Sequence, residues 1–354
     1  MYQKPPKIAV AMSGGVDSLV SAFLLKVQGW EVFGVHFVTG YESRHDAAPC
    51  PDPIEAAAAR MRPLADRVGI ELAVIDIRAE FQRQVVEYFT RTYRGGETPN
   101  PCLVCNPVVK FGTVFTKARK LGAEKFATGH YARIDEHGRL LRGKDRTKDQ
   151  SYFLAFLSQQ QLAGAVFPLG ARRKKDVVAL AREKGLEPAG TESQDACFIK
   201  EGDYKQFLIR QPGFDPQPGP IVDLAGNQIG THRGLFGFTV GQRRGINIPA
   251  SEPYYVIRLE PDCNRLVVGH KKDLITDHCR VEAVRWPGAV PQGPFRAQTR
   301  VRYRHRAAAS TVTPVGESAA VVRFDKPQSA VTPGQGAVFY DGEVVLGGGF
   351  ISGD

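Results

Sequence analysis

Along the first 130 residues, apolar runs and helical patterns take turns. Short continuous apolar runs at Ile8 to Met12, Glu31 to Val38, Ile70 to Ile77 and Lys125 to Thr128 read as buried strands. Helical patterns lie between them, at Asp17 to Gln28, Ile54 to Val68, Ala79 to Arg94 and Pro107 to Leu121. Gly29 occupies the position just past the first helix, where a left-handed residue closes many helices. Pro63 should kink or split the second helix, because it lacks the N–H and its ring crowds the preceding turn. Strand and helix in alternation predict an α/β domain: a parallel sheet covered on both sides, with ligands at the carboxyl ends of its strands.

A further helix is predicted from Arg173 to Lys184, ended by Gly185. After Phe207 the pattern changes. Residues Gln211 to Pro220 hold six Pro or Gly in ten positions, the composition of a linker. Beyond lie short β-like runs at Tyr254 to Leu259, Arg265 to Val268, Gln298 to Tyr303, Ala319 to Phe324 and Ala337 to Tyr340, which predict an all-β region closing in a small C-terminal barrel. At 354 residues two or three domains are expected. The boundaries fall at 1–207, 208–275 for a small central α+β or β domain, and 276–354 for the β-barrel.

Composition adds limits. The chain is 42% hydrophobic and 24% charged, and no apolar run approaches a membrane span. The start, Met1-Tyr2-Gln3-Lys4-Pro5-Pro6, lacks the apolar segment of a secretory signal, so a cytoplasmic location and no membrane partner are expected. In that compartment six cysteines point to reduced, catalytic or metal-binding roles before a disulfide framework. The net charge of +10 favours a polyanionic partner, with nucleic acid first. Lys110 to Gln150 carries 11 Lys or Arg against 5 Asp or Glu, and Arg300 to Arg306 has four arginines and no acid. If the latter is a strand, its period of two puts all four arginines on one face.

Three motifs carry chemistry. Ser13-Gly14-Gly15-Val16-Asp17-Ser18 follows the first strand directly and leads into the first helix, so its glycines and first-turn amides suit a phosphate. Walker-type loops add a lysine at a fixed offset, which is missing here. An ordinary glycine turn is the competing reading. Thr98 to Pro107 places Cys102 and Cys105 at Cys-x-x-Cys spacing, with Asn106 suited to cap a helix beginning at Pro107. Cys105 would then sit at the positive helix end with Lys110 a turn inside, both favouring the thiolate, although metal-pair and structural readings share the spacing. Cys197 lies 92 residues beyond Cys105, so only the fold could unite them, and alone it reads as a small buried residue.

Taken with Ala127 to Tyr131, Lys148 to Leu154, Phe167 to Gly170, Ser193 to Ile199, Gly241 to Gly245, Arg302-Tyr303, Pro333 to Gln335 and Gly347-Gly348, these motifs run in the family's order along nearly the whole chain. The chain resembles the bacterial tRNA-specific 2-thiouridylases, members of the PP-loop ATP pyrophosphatase superfamily that replace the C2 oxygen of wobble uridine 34 with sulfur. The resemblance implies a PP-loop catalytic domain over 1–207. It places ATP on Ala11, Met12, Ser13, Gly14, Gly15, Val16, Asp17 and Ser18, with Phe37 and Gly129 close by and Asp17 engaging Mg2+ or pyrophosphate. Cys197 is similar to the persulfide carrier, charged by an upstream donor protein, and Cys105 to the catalytic cysteine that ends in a disulfide with it. The target base would meet Asn100, Pro101 and Cys102. The rest of the tRNA would meet His130, Lys148, Asp149, Gln150, Arg302, Tyr303 and Gln335.

The chain departs from the family pattern in places. Phe37 stands where methionine is frequent, and Thr39 to Pro53 is atypical. Cys102 stands where other members carry aspartate, so Cys102, Cys105 and Cys197 could ligate a [4Fe-4S] cluster with one iron open for sulfide. Two other functions compete: a loop-sharing amidotransferase or ligase, which has no need of Cys105 or Cys197, and a non-catalytic RNA-binding protein.

Overall fold

The computed structural model describes residues 5–42, 52–187, 197–199 and 203–353. Most of the atypical Thr39 to Pro53 loop, with Cys50, lies outside them, as does Ser193 to Ala196 of the motif before Cys197. The chain forms two compact units, 1–85 with 102–200 and 343–345, and 86–101 with 201–342 and 346–354.

The first unit is built on five parallel strands. These are β1 (Lys7–Ala11), β2 (Glu31–Val38), β3 (Glu71–Asp76), β4 (Lys125–Ala127) and, beyond the small hairpin β5 (Ala132–Ile134) and β6 (Leu140–Arg142), the two-residue edge β7 (Ala165–Val166). Their order is β3-β2-β1-β4-β7, all pairs parallel. The order reverses between β1 and β4, and a crevice opens at the carboxyl ends of such a pair. The loop after β1 and the Thr128-Gly129-His130 turn after β4 both begin there. Helix α1 (Val16–Val27) and the helix Lys174–Glu183 bury Leu19, Val20, Val177 and Ala181 with Ile8 and Val10 of β1 in one core. Burying each of the Leu, Val and Ile side chains among these contributes roughly 1.5–3 kcal/mol.

Helix α2 (Pro53–Val68) runs unbroken past Pro63, so the predicted split does not occur. Its ends are well made: the Asp52 carboxylate accepts from the Ile54 N–H at 2.8 Å, and Gly69 closes the helix at φ 67°. The helix predicted over Ala79 to Arg94 is realised as Arg78–Phe81, a wider π turn at Gln82–Val86, and Glu87–Arg94.

The second unit holds two β structures. In the central one, β8 (Gly219–Val222), β9 (Gln228–His232), β10 (Tyr255–Glu260) and β11 (Arg265–Gly269) are ordered β10-β11-β8-β9 around Ile221, Val256, Leu266 and Val268. The C-terminal strands are β12 (Ile275–Arg285), β13 (Phe295–Arg300), β14 (Ala308–Val315), β15 (Ala319–Ser329), β16 (Gly336–Asp341) and β17 (Val344–Ile351). They follow one another as β12-β15-β14-β13-β16-β17, and pairing of β12 with β17 closes the barrel over Val281, Val312, Val322 and Phe339. Closure removes the open edges that a six-stranded sheet would otherwise present.

The arginine-striped strand is not formed. β13 ends at Arg300, and the chain turns at once, with the His305 N–H bonded to the Arg302 carbonyl at 3.1 Å. Val301 is the anchor of this turn, buried in the barrel core. The four arginines therefore diverge: Arg300 donates to the Tyr303 carbonyl and lies over its ring, while Arg302 turns inward to Ala330 and Thr332.

Candidate active site

The loop after β1 is held from both sides. The Met12 N–H donates to the Val35 carbonyl at 2.8 Å, and the Met12 carbonyl lies 2.7 Å from Nδ1 of the buried His36. Burial keeps the His36 pKa below the usual histidine value, so the ring is neutral, donates from Nδ1, and leaves Nε2 facing Arg60 at 3.4 Å. Within the loop the Ser18 hydroxyl donates to the Gly15 carbonyl at 2.8 Å. No side chain caps α1 at Gly15, and with the Ser18 N–H already donating to the Gly15 carbonyl at 3.1 Å, the Val16 and Asp17 amides are left to an outside acceptor. Phe37 lies partly buried at the carboxyl end of β2, two residues past Val35.

Asp17 is the charged centre of this loop. Its carboxylate accepts from Lys174 Nζ at 2.9 and 2.8 Å and from the Tyr131 hydroxyl at 2.8 Å. Lys174 opens the helix Lys174–Glu183, and neither it nor Tyr131 is singled out by the motif. A lysine 157 residues from the loop carries no local signal, and only the packing of its helix on α1 brings it there. Gly129 lies against the same residue: a Cβ at that position would come within 3.0 Å of Asp17 Cβ and 3.2 Å of its carbonyl. The glycine is there for close approach.

The cysteines occupy a second part of the same unit. The helix carrying them starts at Pro101, five residues before the expected cap, and continues through wide turns over Asn106–Val114 into Phe115–Lys120. Asn106 is buried inside it and donates to the Phe153 carbonyl at 2.9 Å, while Gln161 supplies a 2.6 Å bond to the Pro107 carbonyl. Cys105 is therefore not at a helix start. Burial pushes its thiol up to about 12 and that of Cys102 up to about 11, and the Lys110 ammonium opposes this only in part. The expected thiolate is overturned: desolvation wins over the nearby charge.

Lys110 acts electrostatically on Cys102, Cys105, Cys197 and His130 together, and Cys197 raises both other thiols. Cysteines 92 residues apart in the chain are thus within electrostatic reach of one cation. Cys197 is exposed at the surface and Cys105 is buried. Among the described residues no group of three His, Cys, Asp or Glu side chains is arranged to hold a metal. Cys279 is buried in the barrel and Cys263 is exposed.

The residues expected to meet tRNA fall into both units. In the first, His130 is buried, bonded to Thr128 Oγ1 at 2.7 Å, and kept neutral by burial and by Lys110. Asp149 is also buried, accepting from the Gly143 and Ser151 N–H groups at 3.0 and 3.1 Å, and Gln150 exchanges two bonds with the Tyr131 backbone. Lys148 is half-buried. The local basic excess is partly neutralised, since Arg133 and Arg146 share Glu343, Arg139 pairs with Asp135, and Lys117 pairs with Glu80. In the second unit Gln335 donates to the Thr98 carbonyl at 2.9 Å beside Pro99 and Asn100, and Arg302 donates to Ala330 and Thr332 at 2.6 and 2.8 Å.

Residues 6–201 match the tRNA methyl transferase HUP domain, 205–270 the tRNA methyl transferase PRC-barrel domain and 276–351 the aminomethyltransferase β-barrel domain. The tRNA-specific 2-thiouridylase MnmA of Desulfosudis oleivorans is 49% identical over 350 residues, covering 98% of this chain and 95% of that protein. Its namesake in Syntrophotalea carbinolica is 47% identical over 357 residues, with 99% and 100% covered. A solved 4-thiouridine synthetase bound to RNA and ATP is 18% identical, covers 51% of this chain and 41% of that one, and at a TM-score of 0.31 is too distant to bear on fold or function. Matched along almost its whole length by such relatives, the chain belongs to the tRNA-specific 2-thiouridylase family.

Proposed function

We propose that the chain is an ATP-dependent tRNA uridine 2-sulfurtransferase. The observation that carries this is that one compact unit holds the loop after β1, whose following helix has no side-chain cap, together with Cys105 and Cys197, both of which feel the Lys110 ammonium. ATP lies along Ala11 to Ser18, with Phe37 and Gly129 beside it. The C2 oxygen of uridine 34 attacks the α-phosphorus, pyrophosphate leaves, and the adenylated carbon becomes susceptible to substitution. The terminal sulfur of a Cys197 persulfide bonds to C2 as AMP departs, and Cys105 then attacks the Cys197 sulfur. 2-Thiouridine leaves with its sulfur, Cys105 and Cys197 are left as a disulfide, and a thiol reductant restores them.

A wobble base in an unpaired loop can be turned outward, as reaction at C2 requires. Asn100, Pro101 and Cys102 receive it, and His130, Lys148, Asp149, Gln150, Arg302, Tyr303 and Gln335 hold the surrounding tRNA, the buried ones by shaping the backbone. Mg2+ fits the hard carboxylate of Asp17 together with the phosphates of ATP, and when bound it neutralises phosphate charge. Sulfur reaches Cys197 from a persulfide donor protein in the cytoplasm. The domains divide at 207/208 and 275/276.

The test combines protein, ATP, a persulfide donor and unmodified tRNA, followed by nucleoside mass analysis. Cys105→Ser and Cys197→Ser should each abolish 2-thiouridine while leaving ATP affinity intact. Native-rate product from either variant sinks the persulfide route. ATP consumption with an amine nucleophile and no sulfur incorporation favours the amidotransferase reading instead.

A further inference from the structure

We propose that the loop from Gly241 to Tyr254 forms a further RNA-binding cleft, with an unpaired base on Tyr254 and adjoining phosphates on Arg243 and Arg244. This rests on the reading that tRNA is the substrate. The Gly241-Gln242-Arg243-Arg244-Gly245 segment is firmly built. Gln242 accepts from the Thr239 N–H at 3.1 Å and donates to the Arg244 carbonyl at 2.7 Å, while Gly241 and Gln242 exchange backbone bonds of 2.8 and 2.9 Å with Val256. Gly241 has φ 84°, and a Cβ there would strike Ala330 at 2.5 Å, so this position needs glycine.

On that fixed backbone the two arginines are exposed. Arg258 and Arg265 of the same region both pair with Glu260, at 2.8 and 2.5 Å, whereas no carboxylate pairs with Arg243 or Arg244 among the described residues. Two uncompensated guanidiniums side by side suit consecutive phosphates.

Arg243, Asn247, Ile248, Pro249, Pro253 and Tyr254 line an open cleft of about 300 Å³. This is the small end of the ligand-pocket range, with room for one planar group. Tyr254 is stacked on His270 at 5.3 Å and 17°, which orients its ring, and bases stack on such aromatics with little regard to sequence. The cleft continues the surface already assigned to RNA in this unit. Thr239 Oγ1 is 3.0 Å from Thr98 Oγ1, Thr98 takes the Gln335 bond, and Arg302 reaches the Val240 carbonyl at 3.4 Å.

The test measures binding of unmodified tRNA to the full chain across a series of KCl concentrations. Arg243→Ala with Arg244→Ala should weaken binding about tenfold or more and reduce the slope of log K against log salt by about 1.5, as loss of two phosphate contacts requires. Tyr254→Leu should cost about tenfold with the slope unchanged, Tyr254→Phe should bind like the native chain, and KM for ATP should stay constant. The arginines are exposed, so the double variant folds, and matching thermal unfolding verifies this. Native affinity and slope in the double variant and in Tyr254→Leu overturn the cleft alone. Failure of the native chain to bind tRNA overturns the substrate reading and the cleft with it.

Discussion

Adding one methyl group at Gly129 tests whether the loop's charged centre depends on close backbone packing. In Gly129→Ala the new Cβ falls 3.0 Å from Asp17 Cβ, 3.1 Å from its carbonyl carbon and 3.2 Å from its carbonyl oxygen. Carbon contacts settle near 3.5–4.0 Å, so Asp17 and the start of α1 must retreat by roughly 0.4 Å or more. The 2.8 and 2.9 Å bonds from Lys174 and the 2.8 Å bond from Tyr131 then approach the limit of about 3.2 Å at which such bonds weaken. Overpacking of this kind costs about 1–3 kcal/mol of stability, and misplacing a reacting group by a fraction of an ångström lowers turnover by about 10- to 100-fold. Urea unfolding and tRNA-dependent pyrophosphate release measure the two effects. Gly288→Ala is the control, since its Cβ meets nothing within 4 Å and should change stability by less than about 0.5 kcal/mol. If Gly129→Ala matches that control in both assays, the close-packing argument is wrong.

Lys174→Met should keep the fold but cut pyrophosphate release by about tenfold or more, because Asp17 loses its only lysine partner among the described residues; an unchanged rate refutes a role for the pair. With Cys105 protonated until about pH 12, its alkylation by iodoacetamide in the free protein should rise about tenfold per pH unit between 7 and 10, and a plateau near neutrality refutes the buried thiol. His36 and His130 have pKa values lowered by burial, so their contribution to stability is complete above about pH 6.5 and is lost as the pH falls through the folded values; unfolding midpoints that do not fall between pH 7 and 5 contradict this.

The parallel sheet was legible because its strands are short apolar runs, and β1, β2, β3 and β4 formed within a residue of their predicted bounds. What failed did so through packing. Asn106-Pro107 has the chemistry of a helix start, yet burial of Leu103 and Cys105 lets helix form earlier, and bonds from Asn106 to Phe153 and from Gln161 to Pro107 serve groups that a regular helix would strain. Arg300 to Arg306 alternates like a strand, but burying Val301 turns the chain there. Reactivity was misjudged for the same reason: distance to Lys110 can be guessed from spacing, whereas desolvation depends on neighbours that spacing does not reveal.

Tyr131 holds Asp17 through its hydroxyl and, through its backbone, exchanges bonds of 3.0 and 2.9 Å with Gln150. One residue is therefore shared by the phosphate loop and the Lys148 to Gln150 segment. Free-energy reciprocity attaches a condition to that sharing: if nucleotide phosphates loosen the Tyr131 to Asp17 bond and so change RNA affinity by some factor, RNA must change ATP affinity by the same factor. The order in which the two substrates arrive then alters the path to the ternary complex and not its stability.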